Sequence, residues 1–150
     1  MTELAVSDYL TIFHSRHEHS RKLLELSRRQ MSLISNDDYT QLLVVLAQKQ
    51  RVLGQLDEIG NRFPDLWKTW RAGRNCIDDG QREDCEHILA ETEAILAQLI
   101  QEETASTEHL TQRRDSTRKQ LRDIAKGSEV HDAYRDSLAP VTHRHLNVDQ

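Results

Sequence analysis

Four side chains able to ligate a metal or move a proton crowd one stretch near the start of the chain: His14, His17, Glu18 and His19. On a helix His14 lies one turn from both His17 and Glu18, a spacing that can hold a divalent cation. A second group, Glu83-Asp84-Cys85-Glu86-His87, contains Asp84-x-x-His87. A helical di-metal centre needs Glu-x-x-His on two helices. The second copy is missing, and the stretch around His14 is not HExxH. These histidines therefore read as packing or solvated side chains, with no metal site and no cofactor expected. Cys76 and Cys85 stand nine positions apart. They form no CxxC pair and carry no signature of an activating base. Cys85 reads as a small buried residue, and both cysteines as reduced thiols. There is no GxSxG, no kinase-type motif and no phosphate loop, and five glycines in all leave little for a nucleotide cradle. No enzymatic activity is expected.

What remains is binding chemistry. Arg113, Arg114, Arg118, Lys119 and Arg122 make a basic patch suited to an acidic partner, or simply to a solvated helix end. No aromatics interleave with these bases, and the formal net charge of the chain is −5, so nucleic acid is not an expected partner. Both tryptophans, Trp67 and Trp70, fall in one short segment, where they can plug the end of a helical seam or form a contact hot spot.

The elements that must position these residues follow from composition. The chain has 150 residues, 37% apolar and 30% charged, with only five Gly and two Pro. Its mean hydropathy is −0.72. So little turn chemistry argues against a sandwich or barrel, and so narrow an apolar content suits long amphipathic helices. The longest apolar run, Leu42 to Ala47, is six residues, far short of the roughly 20 that span a membrane. Met1-Thr2-Glu3-Leu4 lacks a basic region followed by an apolar one, so no secretory signal and a cytoplasmic setting are expected.

Periodicity predicts helices over about 7–34, 38–62, 65–72 and 81–126, within one helical domain ending at 126. In the first, Leu10, Phe13, His17, Ser20, Leu24, Ser27, Met31 and Ile34 share a face whose centre is polar. Ser7 is the expected cap, and Asn36 with Asp37 the expected break before the next helix. The second helix carries Tyr39, Leu42, Leu46, Lys49, Leu53, Leu56 and Phe63, widened by Leu43, Val45, Val52 and Ile59. The last has no Gly or Pro from Gln81 to Lys126, and its stripe passes through Cys85, Leu89, Thr92, Leu96, Leu99, Glu103, Ser106, Leu110, Arg113, Thr117, Leu121 and Ile124. Residues 81–108 hold eight acids and one base, and residues 109–126 six bases and two acids. That polarity complements the helix macrodipole. A kink or loose packing is expected between Glu103 and Thr117. Gly127 and Ser128 are the expected stop, leaving 127–150 as a mobile partner-binding tail. The fold class is all-α: an elongated antiparallel bundle of three main helices plus a short one in the 60–80 connection.

Leu33-Ile34-Ser35-Asn36-Asp37-Asp38-Tyr39, then Leu42-Leu43, then Leu46-Ala47-Gln48-Lys49-Gln50-Arg51-Val52-Leu53-Gly54-Gln55-Leu56, is similar to the FlgN-type flagellar export chaperones. In that family a polar turn precedes a helix with paired leucines and a Lys-Gln element. Tyr134 and the closing His145-Leu146-Asn147-Val148-Asp149-Gln150 resemble its C-terminal tyrosine and short apolar-acidic element. The Trp-bearing stretch and the absence of an Asn-rich element near Glu108 to Arg118 differ from the family pattern. The resemblance implies a non-enzymatic chaperone of flagellar type III secretion. Such a protein would hold hook-associated (hook–filament junction) proteins and deliver them to the export gate. It implies substrate binding by the last helix and tail, and gate docking by Tyr134. On the residues themselves, Leu121, Ile124, Tyr134, Leu138, Leu146 and Val148 would give apolar contacts, and Arg113, Arg114, Arg118 and Arg122 would steer. The expected free state is a monomer or weak dimer. A coiled-coil adaptor or homodimeric scaffold unrelated to flagella is the alternative.

Overall fold

The computed structural model describes residues 4–138, and every element among them is helical. Helix α1 spans Val6–Ser35, α2 Tyr39–Arg62, α3 Leu66–Gly73 and α4 Asp79–Leu138, with a single 3-10 turn at Arg74–Cys76 before α4. By its internal contacts the chain divides into two units, residues 1–109 and residues 110–150.

The helix ends have local causes. At the start of α1 the Asp8 carboxylate accepts the Ala5 N–H at 3.0 Å, closing a donor that the first turn leaves orphaned. The cap is thus Asp8 reaching back, not the expected Ser7. Between α1 and α2 the residue in the left-handed region is Asp37 (φ 56°), and Asn36 stays at φ −94°. Asp38 then caps α2, accepting the Gln41 N–H at 3.1 Å. The break lies where the sequence indicates, one residue later in each role.

The core of the first unit changes character along its length. At one end Tyr9, Ile12 and Phe13 of α1, Leu66 and Trp70 of α3, and Cys85 and Ile88 of α4 form one buried cluster. Trp70 meets Tyr9 edge-on at 5.2 Å and Phe13 at 5.3 Å, the geometry that sets ring edges against ring faces. At the other end Ile34 and Val45 are fully buried. Between them the buried positions include small or polar residues: Ser20, Ser27, Thr92 and Ser106. Ser20 and Thr92 return their hydroxyls to the Arg16 and Ile88 carbonyls one turn back, at 2.7 and 2.8 Å.

One ionic group sits in this middle layer. Lys49 of α2, nearly buried, donates to Gln30 of α1 at 2.6 Å and to the Glu103 carboxylate of α4. Ser27 of α1 donates to the same carboxylate oxygen at 2.6 Å. No buried side-chain nitrogen or oxygen among the described residues is left without a partner. Burial acts to raise the Glu103 pKa, but the Lys49 and Ser27 hydrogen bonds, the Lys49 charge and Gln30 outweigh it and hold the carboxyl below its ordinary value.

α2 buries Leu42, Val45, Lys49 and Val52, whereas Leu43, Leu46, Leu53 and Tyr39 stay exposed. The expected stripe through Tyr39, Leu46 and Leu53 is therefore rotated away from the core. α4 does not stop at Gly127. It continues to Leu138, and no glycine among the described residues takes a positive φ. Gly127 carries the usual interior cost of about 1 kcal/mol relative to Ala; it lacks the left-handed turn that would end the helix. Residues 127–138 are thus helix rather than tail.

Two outcomes follow. Trp70→Ala removes the ring at the centre of the aromatic cluster and is expected to cost about 3–5 kcal/mol of stability by chemical denaturation. Glu103→Gln is expected to cost about 1–3 kcal/mol at neutral pH. Because folding lowers the Glu103 pKa, its contribution is complete above the ordinary carboxylate range and is lost as pH falls through the lower folded-state value. Thermal melts between neutral and strongly acidic pH should therefore show a flatter acid limb for Glu103→Gln than for the wild type.

Candidate partner-binding surface

The described part of the second unit, residues 110–138, is a single stretch of α4. At 100° per residue, Leu110, Thr117, Leu121 and Ile124 fall within an arc of about 60°. Leu121 and Ile124 are 61% and 67% exposed. Arg113 borders one edge of this stripe, and Arg114 and Arg118 border the other. Arg113 is half-buried, whereas Arg114, Arg118 and Arg122 are exposed, with Arg114 3.5 Å from Asp115. The stripe thus has one guanidinium group along one edge and two along the other.

Tyr134 is exposed but lies off this stripe, about 80° around the helix from Ile124 and about 140° from Leu121. It shares its face with Val130, four residues earlier and 70% exposed. Val130 escaped the sequence reading, although its i,i+4 relation to Tyr134 was there to be used. Residues 110–138 thus present two separate apolar faces. Leu138 closes α4, and Leu146 and Val148 lie outside the described residues.

The other candidates resolve into contacts. His17 Nε2 and His87 Nε2 both approach Glu91, at 3.2 and 2.9 Å, so a carboxylate on α4 joins a histidine on α1 to one on its own helix. Glu18 instead turns to Arg21 at 3.0 Å, and His19 to the Ser15 carbonyl at 2.6 Å. Among the described residues no group of three His, Cys, Asp or Glu side chains is arranged to hold a metal ion. Burial pushes the Cys85 thiol pKa up, with Asp84 and Glu86 adding to it. That disfavours the reactive thiolate. The tryptophans divide the two roles proposed for them: Trp70 is the plug, and Trp67 stays 41% exposed. Trp67 stacks on Phe13 at 5.9 Å and lies under the Arg16 guanidinium at 4.9 Å, beside a cleft of about 280 Å³ that also includes Phe63 and Leu96. Among the described residues no helix is long and apolar enough to cross a membrane.

No protein family, curated protein or solved structure matches the chain.

Leu121 and Ile124 are largely exposed, so they add little to the folded core. Leu121→Ala and Ile124→Ala should therefore each change unfolding free energy by less than about 0.5 kcal/mol. A fall as large as that expected for Trp70→Ala would show that the stripe is covered within the chain.

Proposed function

We propose that this protein is a cytoplasmic, non-enzymatic chaperone of flagellar type III secretion. In this reading it holds hook-associated (hook–filament junction) proteins and hands them to the export gate. The observation that carries it is the exposed Leu121–Ile124 stripe bordered by Arg113, Arg114 and Arg118 on a helix already formed in the free chain. A preformed helix with an apolar strip can accept the amphipathic terminal helix of a client without ordering itself first, which keeps the cost of binding low. The flanking guanidinium groups would set orientation and speed encounter. The flagellar identity of the client rests on the resemblance of residues 33–56 and of the C-terminal elements to the FlgN-type chaperones.

Tyr134 fits a second contact. It stands with Val130 on a face apart from the Leu121–Ile124 stripe, so a client on the stripe would leave the tyrosine available to the gate. In this reading α1, α2 and the first part of α4 form an antiparallel bundle, and the residues after Leu138, with Leu146 and Val148, extend the client contact.

A non-flagellar coiled-coil adaptor would use the same stripe. The two readings differ in the client. Mixing the full chain with separately produced hook-associated proteins should give a defined complex by size-exclusion chromatography with light scattering. Leu121→Asp should weaken that complex tenfold or more, since one buried apolar anchor is worth about 1–2 kcal/mol or more. Removing residues 128–150 should weaken it as well. Failure of every junction protein to bind would remove the flagellar reading, and unchanged affinity after the truncation would remove residues 128–150 from the binding site.

A further inference from the structure

Residues of α1, α2, α3 and α4 line the cleft of about 280 Å³ beside Trp67, and all of them belong to the first unit. Its wall is mostly apolar, with Leu56, Ile59, Phe63, Leu66 and Leu96. Leu66 is buried and the other four are half-buried. Arg16 is the one charged residue that lines it. The neighbouring Ser20 hydroxyl is already committed to the Arg16 carbonyl at 2.7 Å.

The Arg16 guanidinium lies over the Trp67 ring, 4.9 Å from its centroid, and that ring in turn stacks on Phe13. The contact holds the cation at the cleft. Among the described residues the guanidinium donates no hydrogen bond and forms no ion pair. Burial pulls its pKa down, and the charge of Glu93, exposed on α4, offsets that only in part. Arg16 is thus partly withdrawn from water with its N–H donors unmatched by the chain. A guanidinium fork suits a planar carboxylate, which can accept two parallel N–H bonds. A single arginine balances one negative charge, not the nearly two of a phosphate monoester.

Gly60 keeps the space open. It lies within α2 and lines the cleft, without a left-handed φ. A β-carbon there would meet nothing within 4 Å. Glycine in a helix is less stable than alanine, and no close approach within the chain requires it at this position. A larger side chain at residue 60 would enter open volume rather than collide with a neighbour.

We propose that this cleft binds a small amphipathic monocarboxylic acid, with the carboxylate on Arg16 and the apolar body against Leu56, Ile59, Phe63 and Leu96. Charge selects the head group, and the apolar wall selects the body. Volume sets the size: about 280 Å³ is at the lower edge of small-ligand pockets, so a medium chain or a single ring fits and a long chain does not. Glu93 competes with the ligand for the Arg16 charge. The site shares no residue with the proposed client surface, which begins at Leu110, and it does not depend on that reading.

Heteronuclear NMR of the isotope-labelled full chain, titrated with octanoate and with phenylpropanoate, tests this. At millimolar concentration either acid should shift the Trp67 indole N–H signal saturably, and more than that of Trp70, which does not line the cleft. The corresponding primary amides keep the body and lose the charge, and they should bind about tenfold more weakly. Arg16→Gln should abolish the preference for acid over amide, and Glu93→Gln should strengthen binding of the acid. Gly60→Leu should remove binding of both, with an unchanged helical circular dichroism spectrum. The absence of a saturable shift with both acids would overturn the proposal. So would equal affinity for acid and amide in the unaltered chain, or acid binding that persists undiminished in Gly60→Leu.

Discussion

The contact between Lys49 and Glu103, with Gln30 and Ser27 around it, is where the three long helices of the first unit meet. An ammonium withdrawn from water, as that of Lys49 is, is costly unless its hydrogen-bonding capacity is met, and the half-exposed Glu103 carboxylate helps to meet it. Here Lys49 reaches one helix through Gln30 and another through Glu103, while Ser27 supplies a further donor to the carboxylate. Sliding α2 by one residue relative to either neighbour would strand the Lys49 charge. Leucines in this layer would tolerate such slips. The polar layer therefore fixes register, with the aromatic cluster at one end and the buried Ile34 and Val45 at the other.

The exposure of α4 also changes along its length. Up to Ser106 its stripe meets α1 and α2 through small or polar residues matched to partners: Thr92 to its own helix, Glu103 to Lys49 and Ser27, Ser106 to the Met31 sulfur at 3.7 Å. The first unit ends at residue 109, and from Leu110 the same helical periodicity continues with Leu121 and Ile124 exposed. The charge changes sign at the same place, from acidic residues before His109 to basic residues after it. Buried and exposed stripe positions thus occupy consecutive stretches of one helix.

Much of this was legible in the sequence. Period and punctuation gave the all-α class and the helices to within one or two residues, apart from the end of α4. The polar middle of the α1 stripe and the appearance of Lys49 and Glu103 on their own stripes were visible too. Their pairing was not, because 54 residues separate them and helix register is set by packing rather than by local pattern. α2 is apolar on two faces, so periodicity alone could not say which would be buried, and it favoured Leu46 and Leu53 over the Val45 and Val52 that the core takes. Gly127 misled because glycine ends a helix only where the chain turns left-handed. The separation of Tyr134 from the Leu121–Ile124 stripe required a helix continuous to Leu138 before it could be seen.

In the proposed function, residues 110–138 of α4 form the partner surface. Amide hydrogen exchange on the full chain, with and without a hook-associated protein, tests this most directly. The claim requires the slowest exchange around the Lys49–Glu103 layer in the free protein. It also requires added protection concentrated between Leu110 and Leu138 when the client binds. Protection that appears instead on α1 or α3, with 110–138 unchanged, would contradict it.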